Sequence, residues 1–197
     1  MGLNSPPEQS YEESLLIPRW LWSTVVGLLL IFGGIWLIWT RTSVSNLLIQ
    51  AEADSLEPAP IAGHPAPDFE LKTLAGETIR LSDFKGRPVI LNFWATWCGP
   101  CRAEFPELQQ VAAENSDNLV IIGVNHTSAD SPALVPDFVE EFGITFPIVL
   151  DETGEVVKTY QVLGLPTVVF IDRNGIIQEL FTGPVTKTYL ESKLSEL

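Results

Sequence analysis

Pro88-Val89-Ile90-Leu91-Asn92-Phe93-Trp94-Ala95-Thr96-Trp97-Cys98-Gly99-Pro100-Cys101 contains both cysteines of the 197-residue chain, and its reading decides the fold. Residues 88–93 are apolar and β-prone, whereas Arg102 to Asn115 is rich in helix formers. A strand therefore runs into a turn, and the turn opens a helix with Cys98 at or just before its first residue. A helix N-terminus presents unpaired N–H groups and roughly half a positive charge, which favours thiolate over thiol at Cys98. Cys101, one turn further in, is expected to be more shielded. Pro100 has a fixed φ and no N–H, which suits a first helical turn, and Gly99 lets a partner chain approach the sulfur. Such a pair is suited to dithiol exchange: Cys98 attacks a partner disulfide, and Cys101 then attacks the mixed disulfide and releases the product.

Metal or purely structural roles fit this pair less well. Zinc normally wants four Cys or His ligands, and the two histidines, His64 and His126, have no metal-ligand spacing relative to the cysteines. A structural disulfide closing so short a loop would remove little chain entropy. Neither a metal nor a cofactor is expected.

Outward from this run the pattern alternates β and α. Phe69–Lys72 and Thr78–Leu81 read as an N-terminal hairpin, Val89–Phe93 and Leu119–Asn125 as buried strands, and Gly99–Asn115 as a helix kinked at Pro106. Helices are expected at Ala133–Phe142, Gly154–Tyr160 and Lys187–Leu197, with a short strand at Phe146–Leu150. Val168–Ile171 and Ile176–Phe181 flank Asp172-Arg173-Asn174-Gly175, whose Asn-Gly signals a hairpin. A β-α-β unit followed by β-β-α predicts a mixed sheet with helices on both faces. Roughly 135 residues suffice for one such core.

The apolar fraction of 46% is raised by one N-terminal block. Trp20 to Trp39 is almost entirely apolar between Arg19 and Arg41, and Trp20, Trp22, Trp36 and Trp39 mark its ends as interfacial aromatic belts do. About 20 such residues cross a bilayer as a helix. The run exceeds the usual ~7–15 residues of a cleaved signal peptide and lacks its charged n-region. The expected organisation is a short cytoplasmic tail over 1–19, a transmembrane helix over 20–40, a linker over 41–60 and one folded domain over 61–197. Arg19 and Arg41 balance, so placing that domain outside the cytoplasm rests on where protein disulfides accumulate. The formal net charge is −14, and residues 61–197 carry nine basic and nineteen acidic side chains, a net −10. This argues against nucleic acid as a partner and makes docking on anionic lipid poor.

The surrounding motifs are more specific than the cysteine spacing alone. Ala66-Pro67-Asp68-Phe69, Leu81-Ser82-Asp83-Phe84-Lys85-Gly86, Leu91-Asn92-Phe93-Trp94 and Cys101-Arg102-Ala103-Glu104-Phe105-Pro106 stand around Trp97-Cys98-Gly99-Pro100-Cys101. Together they resemble the membrane-anchored bacterial thiol–disulfide proteins of the TlpA/ResA/CcmG group, redoxins related to AhpC/TSA, over roughly residues 61–197. The resemblance implies a thioredoxin-like α/β fold, a mixed central sheet flanked by helices with an N-terminal β-hairpin extension. It also implies reduction of protein disulfides at the extracytoplasmic side of a bacterial membrane. Oxidised apocytochrome c would be one substrate class, and a CcdA/DsbD-like membrane carrier the source of electrons.

The same resemblance makes Leu165-Pro166 a cis peptide beside the cysteines, although most X-Pro bonds are trans. Its backbone, with Trp97, Gly99 and Pro100, would bind the substrate chain. Trp94 and Trp97 are expected to pack around the cysteines and offer a recognition surface, though core packing explains Trp94 equally well. Glu104 follows Cys101 by one helical turn, on nearly the same face. A carboxylate there raises thiol pKa values and can relay the proton Cys101 must lose. Helix pattern alone fits a solvated glutamate as well; the Cys-x-x-Glu-Phe-Pro match favours the functional role. Asn92 departs from cytosolic thioredoxins, which carry a buried aspartate there, so proton transfer would fall to Glu104.

Two rival functions fit less well. A thiol peroxidase shares the Ala-Pro-Asp-Phe opening, but its cysteine sits in a P-x-x-x-T/S-x-x-C context, and Ala95 stands at the Thr/Ser position. A copper carrier would want a C-x-x-x-C pair with an added histidine.

Overall fold

Val89–Trp94 is buried on both faces, as a continuous apolar strand must be when helices cover both sides of its sheet. In the computed structural model it is strand β3 of a seven-stranded mixed sheet. The structure describes residues 56–194, 196 and 197, together with the helical positions 28, 30–33, 35 and 36. The span expected over 20–40 otherwise lies outside the described residues, as does most of the 41–60 linker. Among the described residues no helix is long and apolar enough to cross a membrane.

The other strands are β1 (Glu70–Thr73), β2 (Thr78–Arg80), β4 (Val120–Asn125), β5 (Ile148–Leu150), β6 (Thr167–Ile171) and β7 (Ile177–Thr182), in the spatial order β2-β1-β5-β4-β3-β6-β7. β3 lies parallel to β4, with Val89 opposite Val120 and Trp94 opposite Asn125, and antiparallel to β6, with Phe93 opposite Thr167. Its C-terminal end and the start of β6 therefore share one end of the sheet. The hairpin extension is continuous with this sheet, because the three-residue β5 pairs with β1 on one edge and β4 on the other.

Beyond residue 56 the helices among the described residues are α1 (Gly99–Glu114), α2 (Val135–Glu141), α3 (Glu155–Thr159) and α4 (Lys187–Leu194). α1 continues unbroken through Pro106. α2 is shorter than the expected Ala133–Phe142, since Pro132–Leu134 forms a tighter 3-10 turn ahead of it. α4 ends at Leu194, short of the expected Leu197. The Asn-Gly hairpin forms, with the Asp172 carboxylate accepting from the Asn174 and Ile176 N–H groups and Gly175 at φ +83°.

Side-chain alternation along the strands divides the core in two. Ile90 and Trp94 of β3 pack with Phe105, Leu108, Val111, Phe138 and Leu190, on the side of α1, α2 and α4. Leu91 and Phe93 pack with Phe69, Val156, Val157 and Tyr160, on the side of α3. Each fully buried large apolar side chain contributes about 1.5–3 kcal/mol.

On the α3 side the Tyr160 ring lies 5.3 Å from that of Phe93, and its hydroxyl donates to the Pro67 carbonyl at 2.7 Å. This ties the lead-in to the hairpin extension onto the sheet. Tyr160→Phe leaves that buried carbonyl without its donor and is expected to cost about 1–2 kcal/mol. A urea midpoint equal to that of the parent chain would refute the tie.

Candidate active site

Helix α1 is capped by Cys98 itself. Its backbone is extended (φ −78°, ψ 104°), and its Sγ accepts from the Cys101 N–H at 3.2 Å, one of the orphan donors of the first turn. Gly99 and Pro100 are the first two helical residues, both exposed, and a side chain added at Gly99 would meet open space. Cys98 and Cys101 are joined as a disulfide with Cα atoms 5.2 Å apart. Cys101 has no accessible surface and Cys98 only 3%, so the expected difference in shielding is small in the oxidised state.

The Leu165–Pro166 bond is cis. Pro166 precedes the Phe93–Thr167 pair, so it sits at the same end of the sheet where the chain leaves β3 for Cys98. Pro166 is buried, while Leu165 is half-buried and packs against both halves of the core.

The two motif tryptophans have separate fates. Trp97 is 63% exposed, and its Nε1 donates to the Ala129 carbonyl at 2.9 Å. Trp94 has no exposure and lies 4.4 Å from the Phe138 ring and 4.8 Å from the Phe105 ring. It cannot belong to a recognition surface, because its position on β3 turns it into the core beneath α1. Gly123 on β4 makes room for it: an added Cβ there would lie 3.2 Å from Trp94 Nε1 and 2.5 Å from Ile148 Cδ1.

Glu104 is buried, not solvated. Its Oε2 accepts from the Val185 N–H at 3.1 Å, where the segment between β7 and α4 covers the helix. Its Oε1 and both amide atoms of Asn92 have no direct hydrogen-bond partner among the described residues. Burial pushes the Glu104 carboxyl up to about 8; the Val185 N–H and, next, the Asn92 amide pull weakly the other way. At neutral pH it is therefore mostly protonated, with an ionised minority, and it stands one turn along α1 from Cys101.

A second polar cluster, absent from the expectations above, braces the turn before Cys98. Asp130 Oδ2 accepts from the Thr96 N–H at 2.7 Å and from Asn125 Nδ2 at 2.9 Å. Its Oδ1 accepts from Thr96 Oγ1 at 2.5 Å and from the Ser131 N–H at 2.8 Å. Burial pushes Asp130 up, but these donors outweigh it and hold the carboxyl below the usual carboxylate range. Among the described residues no group of three or more His, Cys, Asp or Glu side chains is placed to hold a metal ion. His64 meets the Glu57 carbonyl through Nδ1, away from the cysteines in sequence.

The AhpC/TSA family model matches residues 62–180. The thioredoxin-like protein YneN of Bacillus subtilis is 45% identical over 133 residues, covering 67% of this chain and 78% of that protein. The thiol–disulfide oxidoreductase ResA of Oceanobacillus iheyensis is 43% identical over 141 residues, covering 68% and 72%. The crystal structure of StoA from Bacillus subtilis superposes with a TM-score of 0.57 at 37% identity, over 65% of this chain and 96% of StoA.

Proposed function

The chain belongs to the AhpC/TSA family and is a thiol–disulfide oxidoreductase of the ResA type, and from that premise we propose that it reduces protein disulfides outside the cytoplasm. Cys98 is the attacking thiol and Cys101 the resolving one. Glu104 is the proton acceptor and donor for Cys101. Trp97, Gly99, Pro100, Leu165 and Pro166 form the surface that receives the substrate chain. The observation that carries this is the pair of sulfurs at the N-terminus of α1, with Cys98 capping the helix and Leu165–Pro166 at the same end of the sheet.

In the reaction, the Cys98 thiolate attacks one sulfur of the partner disulfide, and the other sulfur leaves as a thiolate. Cys101 passes its proton to Glu104 in its ionised form, the minor one at neutral pH, and attacks Cys98 Sγ. The Cys98–Cys101 disulfide forms, and the second substrate sulfur takes that proton from Glu104 as it leaves as a thiol. Two electrons have moved from the chain's dithiol to the substrate. A membrane carrier of the CcdA/DsbD type returns the pair to the dithiol state.

The proposed organisation is a cytoplasmic tail over 1–19, a membrane-spanning helix over 20–40, a linker over 41–60 and the redox domain over 61–197. The apolar run between Arg19 and Arg41 supports it. Oxidised apocytochrome c is the proposed substrate class.

The full chain in detergent, with dithiothreitol as electron source, is expected to reduce insulin and oxidised apocytochrome c and to leave hydrogen peroxide unconsumed. Peroxide turnover with inert protein disulfides would overturn the proposal in favour of a peroxidase. In intact cells grown with a reductant, a membrane-impermeant maleimide is expected to label the cysteines. Labelling that requires permeabilised cells would place the domain on the other side.

A further inference from the structure

We propose that Asp130 is a positioning residue that holds Trp97 as a fixed ledge for the protein substrate beside Cys98. The inference rests on Cys98–Cys101 being the reacting pair. The carboxylate gathers four donors: the N–H and hydroxyl of Thr96 in the turn before Cys98, the Asn125 amide at the end of β4, and the N–H of its own neighbour Ser131. The β3–β4 ladder ends at Trp94–Asn125, so Asp130 carries the cross-link one step past the last strand pair. The residue before it, Ala129, supplies the carbonyl that accepts from Trp97 Nε1. One short loop thereby fixes Trp97 through its indole and the preceding residue through backbone and side chain.

The outcome is a large aromatic that is 63% exposed yet anchored by its own N–H. A free indole on a turn would lose rotamer freedom on every encounter, whereas an anchored one has already lost it. Binding to such a ledge costs less entropy per contact. The surface it offers is apolar and lies next to the attacking sulfur in sequence. It therefore favours substrate chains with an apolar side chain close to the disulfide, and it offers a small hydrophilic disulfide or dithiol almost nothing.

The full chain and its Asp130→Ala and Asp130→Asn variants are compared in two reactions. One is insulin reduction, read as kcat and KM. The other is reduction of the Cys98–Cys101 disulfide by dithiothreitol, read as a rate constant. Losing hydrogen bonds to a charged group predicts that Asp130→Ala lowers kcat/KM for insulin by about tenfold, mainly through KM. The dithiothreitol rate is expected to stay within about twofold. Asn keeps one acceptor oxygen for Thr96, so Asp130→Asn is expected to recover part of the loss. Trp97→Ala, at a side chain that is 63% exposed, is expected to raise KM similarly and serves if the Asp130 variants fold poorly. Equal losses in both reactions would overturn the proposal, since Asp130 would then act on the cysteines or the fold. An unchanged insulin KM would overturn it as well. A parent chain that reacts with dithiothreitol but never with insulin would instead defeat the reductase function on which the proposal rests.

Discussion

Cys101→Ala is expected to accumulate mixed disulfides between Cys98 and its protein partners, while Cys98→Ala accumulates few, and both variants lose turnover entirely. The asymmetry follows from the cap. Cys98 stands outside the first turn, where the N-terminal N–H groups of α1 converge and the Cys101 N–H points at its sulfur. A thiolate there is stabilised by the helix dipole and by a charge-assisted hydrogen bond. Cys101 lies inside the first turn, and its sulfur stands against that of Cys98, so it is placed to attack a sulfur already attached there. Trapped species are read by non-reducing electrophoresis after acid quenching. Equal trapping by the two variants would show that the helix cap does not set the order of attack.

The second large effect concerns the pH dependence of stability. In the unfolded chain Glu104 ionises near its ordinary value of 4.5, whereas in the oxidised native state burial raises it to about 8. Between these values the native state holds one proton more than the unfolded state, so stability falls as pH rises. The contribution of Glu104 is complete below pH 4.5 and is lost as pH climbs through about 8. One pKa unit corresponds to about 1.4 kcal/mol, so the loss is on the order of 3–5 kcal/mol. Glu104→Gln preserves shape and an acceptor for the Val185 N–H but cannot ionise. Urea midpoints of the oxidised parent and variant, taken from pH 5 to 9, are expected to diverge steadily in favour of the variant. Parallel profiles would show that Glu104 titrates near the ordinary carboxylate value.

The same substitution separates two effects on the thiols. Once ionised, above about pH 8, the carboxylate disfavours thiolate, so the Gln variant is expected to ionise its cysteines more readily over that range in alkylation against pH. Loss of the proton acceptor is expected to slow mixed-disulfide resolution near neutral pH.

The parts of the fold legible in sequence are those whose signal is local. β3 and β4 announce themselves as largely apolar, β-prone runs, and the turn Trp97-Cys98-Gly99-Pro100-Cys101 carries its own helix start in Pro100 and in the helix formers beyond. Elements that exist because of distant partners carry a weaker local signal, which leaves their bounds open: the strand expected over Phe146–Leu150 forms only at Ile148–Leu150. β5 is three residues long and is defined by its neighbours β1 and β4 rather than by its composition. The prolines at 132 and 136 divide what reads as one helix into a 3-10 turn and α2.

The candidate site divides in the same way. The cysteines and Pro166 stand in motifs, whereas the burial of Glu104 depends on Val185, 81 positions along the chain. Periodicity places Glu104 on the Cys101 face but is silent on what covers that face. Asp130 left only a weak trace, a polar stretch from Asn125 to Ser131 between two apolar segments. Its importance lies in the two donors of Thr96, 34 positions away, which join those of Asn125 and Ser131 on one carboxylate and which no local pattern encodes.

The division of the core by the sheet has an evolutionary consequence. Both cysteines, Trp94 and Phe105 lie with the α1 side, while Phe69, Phe93, Val156, Val157 and Tyr160 form a packed layer behind the sheet. Substitutions in distant, separately packed layers have nearly additive effects. A lineage moving to hotter or colder habitats is therefore expected to adjust its melting temperature by repacking the rear layer, leaving the side chains around the cysteines in place. Leu165 is the exception, for it touches both layers from the residue just before Pro166. Drift at that one position is where thermal adaptation and choice of substrate would be inherited together.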